Sequence, residues 1–169
     1  SLVQGIAKGS KMDSIIQKAT EIGIKNIYPL LSRYTVVKLS GEQLLKKKER
    51  WQVIAREACK QCRRNTIPLI MPPASWSDII SEIKLPAIML YEKEINNSLR
   101  VVIRENRDQL EQKEITLIVG PEGGFSEDEV EMARQKGVLL AGLGPLILRT
   151  ETAGLVAASI VLYELGYLG

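Results

Sequence analysis

Two glycine-containing segments hold the side chains of this sequence that are best suited to chemistry. The first reads GPEGG from Gly120, and the second reads GPLILRTETA from Gly144. Glu122 and Glu151 are the acidic residues inside these segments, and carboxylates can act as general bases. Arg149 could stabilise negative charge, or it could simply pair with one of those glutamates. The residue types indicate acid–base or electrostatic chemistry and leave the individual roles open.

Each segment directly follows a short apolar run, at residues 115–119 and at residues 138–143. Short apolar runs bounded by turn signals are typical of strands that are buried on both faces, as in a parallel sheet. In open sheets of that kind, ligands bind at the carboxyl ends of the strands. We therefore expect both segments to lie on one edge of the sheet and to form one site.

The helix expected after the first segment begins with carboxylates. Ser126 and Glu129 have the spacing of a capping box, and Glu127 and Asp128 lie in the same first turn. A helix end already neutralised in this way is a poor cradle for phosphate. The chain also has no G-x-x-x-x-G-K-[ST] motif, and the glycines at 142 and 144 lack the third glycine of the Rossmann fingerprint. These features argue against a nucleotide-phosphate site.

The composition of the 169 residues is that of one ordinary soluble domain, and the net charge of +3 does not by itself indicate nucleic acid. The sequence contains no histidine, which excludes a Cys/His zinc site, a Ser-His triad and an imidazole base. We expect no metal site. With no membrane-length apolar run and no signal peptide at its start, we expect a cytoplasmic protein.

Strand and helix signals alternate along the chain. Strands are predicted at residues 2–7, 24–31, 67–71, 86–91, 115–119 and 138–143, with an extended segment at 34–39. Helices are predicted at 10–23, 40–65, 75–83 and 96–110, after Ser126, and from Thr150 as N-cap. The alternation predicts an α/β fold with a mostly parallel sheet and helices on both faces.

The two cysteines lie on the apolar face of the predicted helix 40–65. Trp51, Ala55, Cys59 and Cys62 follow helical spacing on that face. We therefore interpret both cysteines as structural residues rather than as a redox or metal pair.

Taken together, GPEGGFSEDEV and LGPLILRTETA resemble the SPOUT class of knotted RNA methyltransferases, and in particular the ribosomal RNA small-subunit methyltransferase E family. The segments KGSKMDSIIQKATEIG and RWQVIAREACKQCRRN extend the resemblance over nearly the whole chain. That family methylates N3 of a uridine in 16S ribosomal RNA with S-adenosylmethionine. The resemblance implies a C-terminal trefoil knot, S-adenosylmethionine as cofactor, and 16S RNA or the small ribosomal subunit as partner.

By this resemblance, the two segments and residues 90–92 would form the cofactor pocket. Apolar side chains would receive the adenine ring, and Gly144 would allow a close approach of backbone to the ligand. Arg149 would stabilise the uracil as its N3 proton leaves, and Glu122, Glu151 or a water would accept that proton. The full set of predicted cofactor-binding residues is Leu90, Tyr91, Glu92, Gly120, Pro121, Glu122, Gly123, Gly124, Leu143, Gly144, Ile147, Leu148, Arg149, Thr150, Thr152 and Ala153.

The predicted helix 40–65 is basic, with eight Lys or Arg residues against three Glu. A solvated helix face is the usual explanation of such a charge run. Because the resemblance makes the substrate RNA, we predict phosphate contacts as well. The predicted RNA-binding residues are Arg33, Lys46, Lys47, Arg56, Lys60, Arg63 and Arg64.

The final helix has no charged residue between positions 152 and 163. A helix that is apolar on every side is expected to be buried on every side. In a domain of this size we expect a second subunit to cover part of it, giving a homodimer through the C-terminal helix and knot, as the resembling enzymes assemble. A central helix covered within one chain is the alternative.

Members of that family usually carry a small N-terminal RNA-binding barrel resembling a PUA domain. This sequence starts at Ser1, where the catalytic domain would begin, so we expect the barrel to be absent and residues 1–169 to form a single SPOUT-like domain. Two other functions remain open. One is an RNA-binding module of the same fold without catalytic activity, and the other is a Rossmann-type nucleotide oxidoreductase, which the missing phosphate motif disfavours.

Overall fold

One parallel sheet runs through the molecule. The computed structural model describes residues 1–36, 41–111 and 113–168. Its strands are β1 (Leu2–Gly5), β2 (Asn26–Leu31), β3 (Leu69–Ile70), β4 (Ala74–Ser75), β5 (Ala87–Leu90), β6 (Thr116–Val119) and β7 (Leu139–Ala141). They lie in the order β3-β2-β1-β6-β5-β7, with β4 also paired to β2, and every pairing between these strands is parallel.

Helices cover both faces of this sheet. They are α1 (Lys11–Glu21), α2 (Gly41–Cys62), α3 (Trp76–Glu82), α4 (Leu99–Glu105), α5 (Arg107–Leu110), α6 (Glu127–Gln135) and α7 (Thr150–Glu164). Side chains alternate across a strand. Leu2 of β1 belongs to the apolar cluster that includes residues of α1, α2, α4, α5 and α7, and Val3 belongs to the cluster that includes residues of α3 and α6. The predicted α/β fold, with a mostly parallel sheet and helices on both faces, is confirmed.

The predicted elements differ from the observed ones in a few places. The single helix expected at 96–110 is two helices, because the Asn106 side chain donates to the Val102 carbonyl (2.9 Å) and competes with the backbone. Strand β4 was not predicted, since the two prolines before it are a strong turn signal. Arg33 and Tyr34, within or beside the predicted extended segment, lie in a turn, and positions 37–40 fall outside the described residues.

The helix starts follow the sequence signals unevenly. The Ser126 hydroxyl accepts from the Glu129 amide, and the Glu129 carboxylate accepts from the Ser126 amide, which completes the predicted capping box. Ser10 does precede α1, but its side chain makes no capping hydrogen bond. The spacing of Ser10 and Asp13 therefore predicted where α1 starts, but it did not predict how the helix start is capped.

Both cysteines belong to the packing of α2. Cys59 is buried and free, and Cys62 is half-buried and free. Burial raises the pKa of the Cys59 thiol, which disfavours the reactive thiolate. The structural interpretation of the pair agrees with this environment.

Within the described ranges, none of the helices combines the length and the apolar character needed to cross a membrane.

Candidate active site

A cavity of about 600 Å³ opens at the carboxyl edge of the sheet. Three loops form its walls, namely those that follow β5, β6 and β7. Because β5 lies between β6 and β7 in the sheet, these loops are neighbours in space. The lining residues are Leu90, Tyr91, Glu92, Val119, the continuous run from Gly120 to Phe125, the run from Ala141 to Thr150, and Ala153.

Nearly all the predicted cofactor-binding residues line this one cavity. Thr152 does not, because it lies exposed on the outer side of α7. The structure therefore brings together two segments and a strand end that the sequence separates by up to sixty residues or so. Their contact with a cofactor stays a prediction.

Gly142 joins the loops after β5 and β7. Its amide donates to the Asn97 carbonyl (2.9 Å), and its carbonyl accepts from the Leu99 amide (2.8 Å). A Cβ at this position would overlap the carbonyl oxygen of Glu94. The backbones of the two loops are therefore in direct contact, and only glycine permits that approach.

The first residue of α7 is tied to the first residue of the loop after β6. The Thr150 hydroxyl donates to the Gly120 carbonyl (2.6 Å) and accepts from the Gln4 side-chain amide (2.8 Å). Thr150 is thus not the N-cap that we predicted; Arg149 holds that position and makes no side-chain cap. The Thr150 hydroxyl instead makes its hydrogen bonds to β1 and to the loop after β6. No local sequence pattern predicts that these elements lie beside it.

Gln4 lies fully buried in the middle of β1 and supports this junction. Its Oε1 atom is buried without a hydrogen-bond partner. A Cβ at Gly154 would lie 3.2 Å from that oxygen, so α7 approaches β1 closely at a residue with no side chain. The buried amide positions Thr150 and, through it, the wall of the cavity.

Lys11 holds both candidate bases. Its Nζ lies 3.1 Å from Glu122 Oε1 and 3.4 Å from Glu151 Oε2. The second separation is an ion pair without hydrogen-bond geometry, since Glu151 Oε2 has no hydrogen-bond partner. Glu122 Oε1 also accepts from the Lys8 amide at 3.1 Å. The start of α1 thus connects the loop after β6 to the first turn of α7.

This environment sets the charge state of Glu122. Burial acts to raise its pKa, but hydrogen bonds from its own amide, the Lys8 amide and Lys11 outweigh burial and hold the pKa below its ordinary value. The hydrogen bond that Lys11 donates to Glu122 also raises the pKa of Lys11. At neutral pH Glu122 is therefore an ionised, paired carboxylate and a weak base.

Arg149 has no acidic partner among the described residues. The alternative that it merely pairs with Glu122 or Glu151 does not hold, because Lys11 occupies that position. Its side chain is exposed at the wall of the cavity. An unpaired guanidinium at this place is available to an anionic or electron-rich ligand.

The polar side chains facing the cavity otherwise favour a cation. Glu92 lines it and has no ion-pair partner among the described residues, and its Oε1 atom would lie 3.0 Å from a Cβ at Gly124. The helix that follows, α6, starts with three acidic residues. No group of three or more Cys, Asp or Glu side chains in the described ranges is arranged to hold a metal ion.

Most of the predicted RNA-binding residues are engaged at the surface. Each of three has an acidic partner, and Lys47 lies 5.9 Å from the centre of the Trp51 ring. The three ion pairs are Arg33–Asp128 (3.0 Å), Lys46–Glu42 (2.7 Å) and Lys60–Glu57 (2.7 Å). Exposed pairs of this kind are weak, so a phosphate could replace the acidic partner.

The three arginines of the α2 region divide between structure and surface. Arg64 donates to the carbonyls of Thr20 (3.0 Å) and Ile24 (2.6 Å) and so fixes the end of α1. Arg56 and Arg63 are exposed, with no ion pair to another described residue. Arg64 is therefore a structural residue, while Arg56 and Arg63 are free to bind phosphate.

The sequence did not identify several residues of the site. Gly142, Pro145 and Leu146 lie among the predicted residues that follow β7. Their position next to a strand end could therefore have predicted that they line the cavity. Lys11 and Gln4 offered none, because their contacts span 111 and 146 residues of sequence, respectively. Contacts of such range cannot be found from local patterns in one sequence.

Known proteins are similar to this chain in sequence and in fold. The model of the RNA methyltransferase domain family matches residues 1–162. Ribosomal RNA small subunit methyltransferase E of Bacillus subtilis is 37% identical over 166 residues, which is 96% of this chain and 65% of that protein. The chain thus spans about two thirds of the length of this relative, and slightly less of several others.

Two solved structures have the same fold. A Legionella pneumophila structure with bound SAM is 34% identical, with a TM-score of 0.88 over 96% of this chain and 65% of that chain. Ribosomal RNA small subunit methyltransferase E of Neisseria gonorrhoeae, bound to S-adenosyl methionine, is 30% identical, with a TM-score of 0.84 and the same coverage.

Proposed function

The chain belongs to the RNA methyltransferase domain family, and from this membership we propose that it transfers the methyl group of S-adenosylmethionine to N3 of a uridine in 16S ribosomal RNA. The observation that carries the proposal is the glycine-lined cavity at the carboxyl edge of the sheet. It is formed by the segments whose sequence resembles the methyltransferase family. Relatives of the same family bear the name of the small-subunit enzyme.

The cavity suits this cofactor in size and in charge. Its volume of about 600 Å³ lies within the range of sites for small ligands. The unpaired Glu92 carboxylate and the acidic start of α6 favour a positively charged group and disfavour a phosphate. When bound, S-adenosylmethionine supplies a methyl group on a positively charged sulfur. The glycine backbone at 120, 123 and 124 lines the cavity without side chains and so lets such a ligand approach closely.

The residues at the wall of the cavity would then act on the uracil. Arg149 stabilises the negative charge that remains on the ring when the N3 proton leaves. Lys11 keeps Glu122 ionised and paired. Glu122 therefore stabilises the loop after β6 and does not remove the proton. Glu151 or a water is left to accept the proton.

Calorimetric titration with S-adenosylmethionine, followed by mass spectrometry of 16S RNA incubated with the protein, tests the proposal. We expect binding of the cofactor and a single added methyl group at N3 of a uridine. A protein that bound RNA but no cofactor would be the non-catalytic module instead. Binding of a nicotinamide dinucleotide in place of S-adenosylmethionine would indicate an oxidoreductase.

We propose that the RNA also contacts the exposed surface of α2 and the loop after β2. Arg56 and Arg63 supply unpaired charge, and Arg33, Lys46, Lys47 and Lys60 supply charge held in weak contacts. Arg64 contributes only through the fold, since both of its backbone acceptors lie at the end of α1.

Replacing Arg56 and Arg63 with alanine is expected to weaken RNA binding and to lower its salt dependence. Removing one side chain that binds a phosphate reduces the slope of log affinity against log salt concentration by about one unit. The matched control is Arg134→Ala, on α6 at the opposite face of the sheet. Identical slopes for the double variant and the wild type would show that α2 is only solvated surface.

We also propose that the protein is a homodimer through α7. One side of this helix is buried within the chain, through Ala153, Gly154, Ala157, Ala158 and Val161. The other side carries Thr152, Val156 and Tyr163, which are exposed and uncharged. An uncharged outward stripe next to the cavity supports a subunit contact, and each subunit then places its Arg149 near the partner.

Val156→Glu is expected to convert the dimer to a monomer in sedimentation experiments. Because Val156 is 36% exposed, the new carboxylate would contact solvent in the monomer. In the dimer it would be buried in an apolar contact, which disfavours association. Ala158 is unsuitable for this test because it is buried within the chain. Val53→Glu, at a 51% exposed valine of α2, is the control. A monomeric wild type would contradict the proposal.

We infer further that residues 1–169 form one methyltransferase domain with the trefoil knot of the SPOUT class, acting in the cytoplasm on ribosomal RNA. Support for the knot comes from connectivity. The chain leaves β7 at one edge of the sheet and then packs α7 on β1 and β6, which is the return path that a knot at the loop after β6 requires. Tracing this crossing in an electron density map tests the knot, and cell fractionation tests the location.

A further inference from the structure

The loop of residues 32–36, which follows β2, presents an exposed aromatic side chain beside the cavity. Tyr34 is 46% exposed. A shallow depression of about 470 Å³ lies over this loop and is lined by Arg33, Tyr34, Thr35, Val36 and Gly123. Gly123 also lines the cavity proposed for the cofactor. One glycine therefore forms the common wall of the two spaces.

Hydrogen bonds fix the shape of this loop. The Ser32 amide donates to the Thr35 hydroxyl (2.9 Å), and the Thr35 amide donates to the Ser32 carbonyl (3.0 Å). The Arg33 amide donates to Glu129 Oε1 (2.9 Å), while the other carboxylate oxygen caps α6. Since Glu129 is buried, the loop after β2 is anchored to the helix that starts just beyond Gly124. Tyr34 is thus presented in a defined position.

Tyr34 is in direct contact with the glycine loop. A Cβ at Gly123 would lie 2.7 Å from Tyr34 Cβ and 3.3 Å from its carbonyl oxygen. The Tyr34 side chain lines the depression and is partly open to solvent. In the described part of the chain, the other strongly exposed aromatic residues are Tyr163 and Tyr167, near the end of α7 at the opposite edge of the sheet. Tyr34 is the exposed aromatic at the edge that carries the site.

An exposed aromatic ring beside an arginine has the chemistry of a nucleobase subsite. Unstacked bases of single-stranded RNA bind on tyrosine rings and arginine planes, and every base has a face that can stack. Among the described residues, Arg33 pairs only with Asp128, and both side chains are exposed. Such a pair is weak, so the guanidinium can turn to the ring or to a phosphate of the bound strand.

We propose that Tyr34 and Arg33 form a stacking subsite for a nucleotide next to the methylated uridine in single-stranded RNA. This inference rests on the proposed function, since it places the flanking nucleotide one glycine away from the cofactor cavity. The uridine itself must be unpaired to expose N3, and it must leave the stack to enter a pocket. A fixed ring that holds its neighbour would keep the strand open and in register with the cavity.

The test compares Tyr34→Leu, Tyr34→Trp and the wild type. Fluorescence anisotropy measures binding to a labelled oligouridylate of about a dozen nucleotides, a length within the site size of single-strand binders. We expect Tyr34→Leu to weaken binding about fivefold to a hundredfold, the loss typical of one stacked base, and Tyr34→Trp to bind at least as tightly as the wild type. Tyr167→Leu, at a 60% exposed tyrosine far from the site, is the matched control.

Cofactor titration separates this subsite from the proposed function. We expect Tyr34→Leu to keep wild-type affinity for S-adenosylmethionine. Wild-type RNA affinity in Tyr34→Leu, or a wild-type protein that binds no RNA, would overturn the subsite. An equal loss of cofactor affinity would overturn it too, because Tyr34 would then be only a support for Gly123. If the wild type binds RNA through Tyr34 but transfers no methyl group, the proposed function fails, and Tyr34 is a nucleotide subsite of an RNA-binding module instead.

Discussion

Gly142→Ala is expected to lower the affinity for S-adenosylmethionine about fivefold to a hundredfold while the protein stays folded. The added Cβ would overlap the Glu94 carbonyl, so the loops after β5 and β7 must separate. Both of these loops are walls of the cavity. Forcing an extra carbon into a closely packed contact typically costs about 1–3 kcal/mol, which corresponds to about a fivefold to hundredfold loss if the binding-competent loop arrangement bears the cost.

Calorimetric titration measures the affinity, and circular dichroism reports the fold. Gly41→Ala is the matched control, since a Cβ at Gly41 has no neighbour within 4 Å and Gly41 does not have a positive φ. We expect the control to bind as the wild type does. Unchanged affinity in a folded Gly142→Ala protein would mean that the cofactor does not occupy this cavity.

Arg149→Ala is expected to lower the rate of methyl transfer in single-turnover experiments about a hundredfold or more, the scale of losing one donor to a developing negative charge. The effect should fall on the rate rather than on cofactor affinity, because Arg149 has no ion-pair partner among the described residues whose loss would disturb the loops. Sedimentation of the variant should match that of the wild type.

The matched control is Arg104→Ala, at an exposed arginine of α4. It should leave both the rate and the affinity unchanged. A fully active Arg149→Ala protein would exclude this arginine from the reaction. A rate that recovered with lysine at position 149 would show that positive charge alone is required, whereas a rate that did not recover would indicate the planar guanidinium.

The fold followed from local patterns because strands buried on both faces and capped helices leave signals within a few residues. Residues 115–119 and 138–143 could be recognised as strands from their apolar runs, and the strand ends then located the cavity. The interruption at Asn106 could not be recognised in the same way, since it depends on how one side chain bonds to its own helix.

The electrostatics of the site could be predicted only in part. The sequence identified Glu122 and Glu151 as candidate bases and Arg149 as a candidate for stabilising negative charge. It also allowed the simpler alternative that Arg149 forms an ion pair with one of the glutamates. Lys11 takes that role instead, from a helix start 111 residues away from Glu122. The order of strands in the sheet decides which cation lies beside which carboxylate. A single sequence does not reveal that order.

The hydrogen bonds from Gln4 to Thr150 and from Lys8 to Glu122 have a consequence for the order of events during synthesis. They join the first dozen or so residues to positions 146 and 114 residues further along the chain. Contacts of such long range form late in folding, so on a ribosome the first strand must wait for the last helix to emerge. A nascent or C-terminally shortened chain should therefore lack a competent cavity even when most of its helices have formed. Binding of the ligand then marks a domain in which β1, the start of α1 and α7 are all in place.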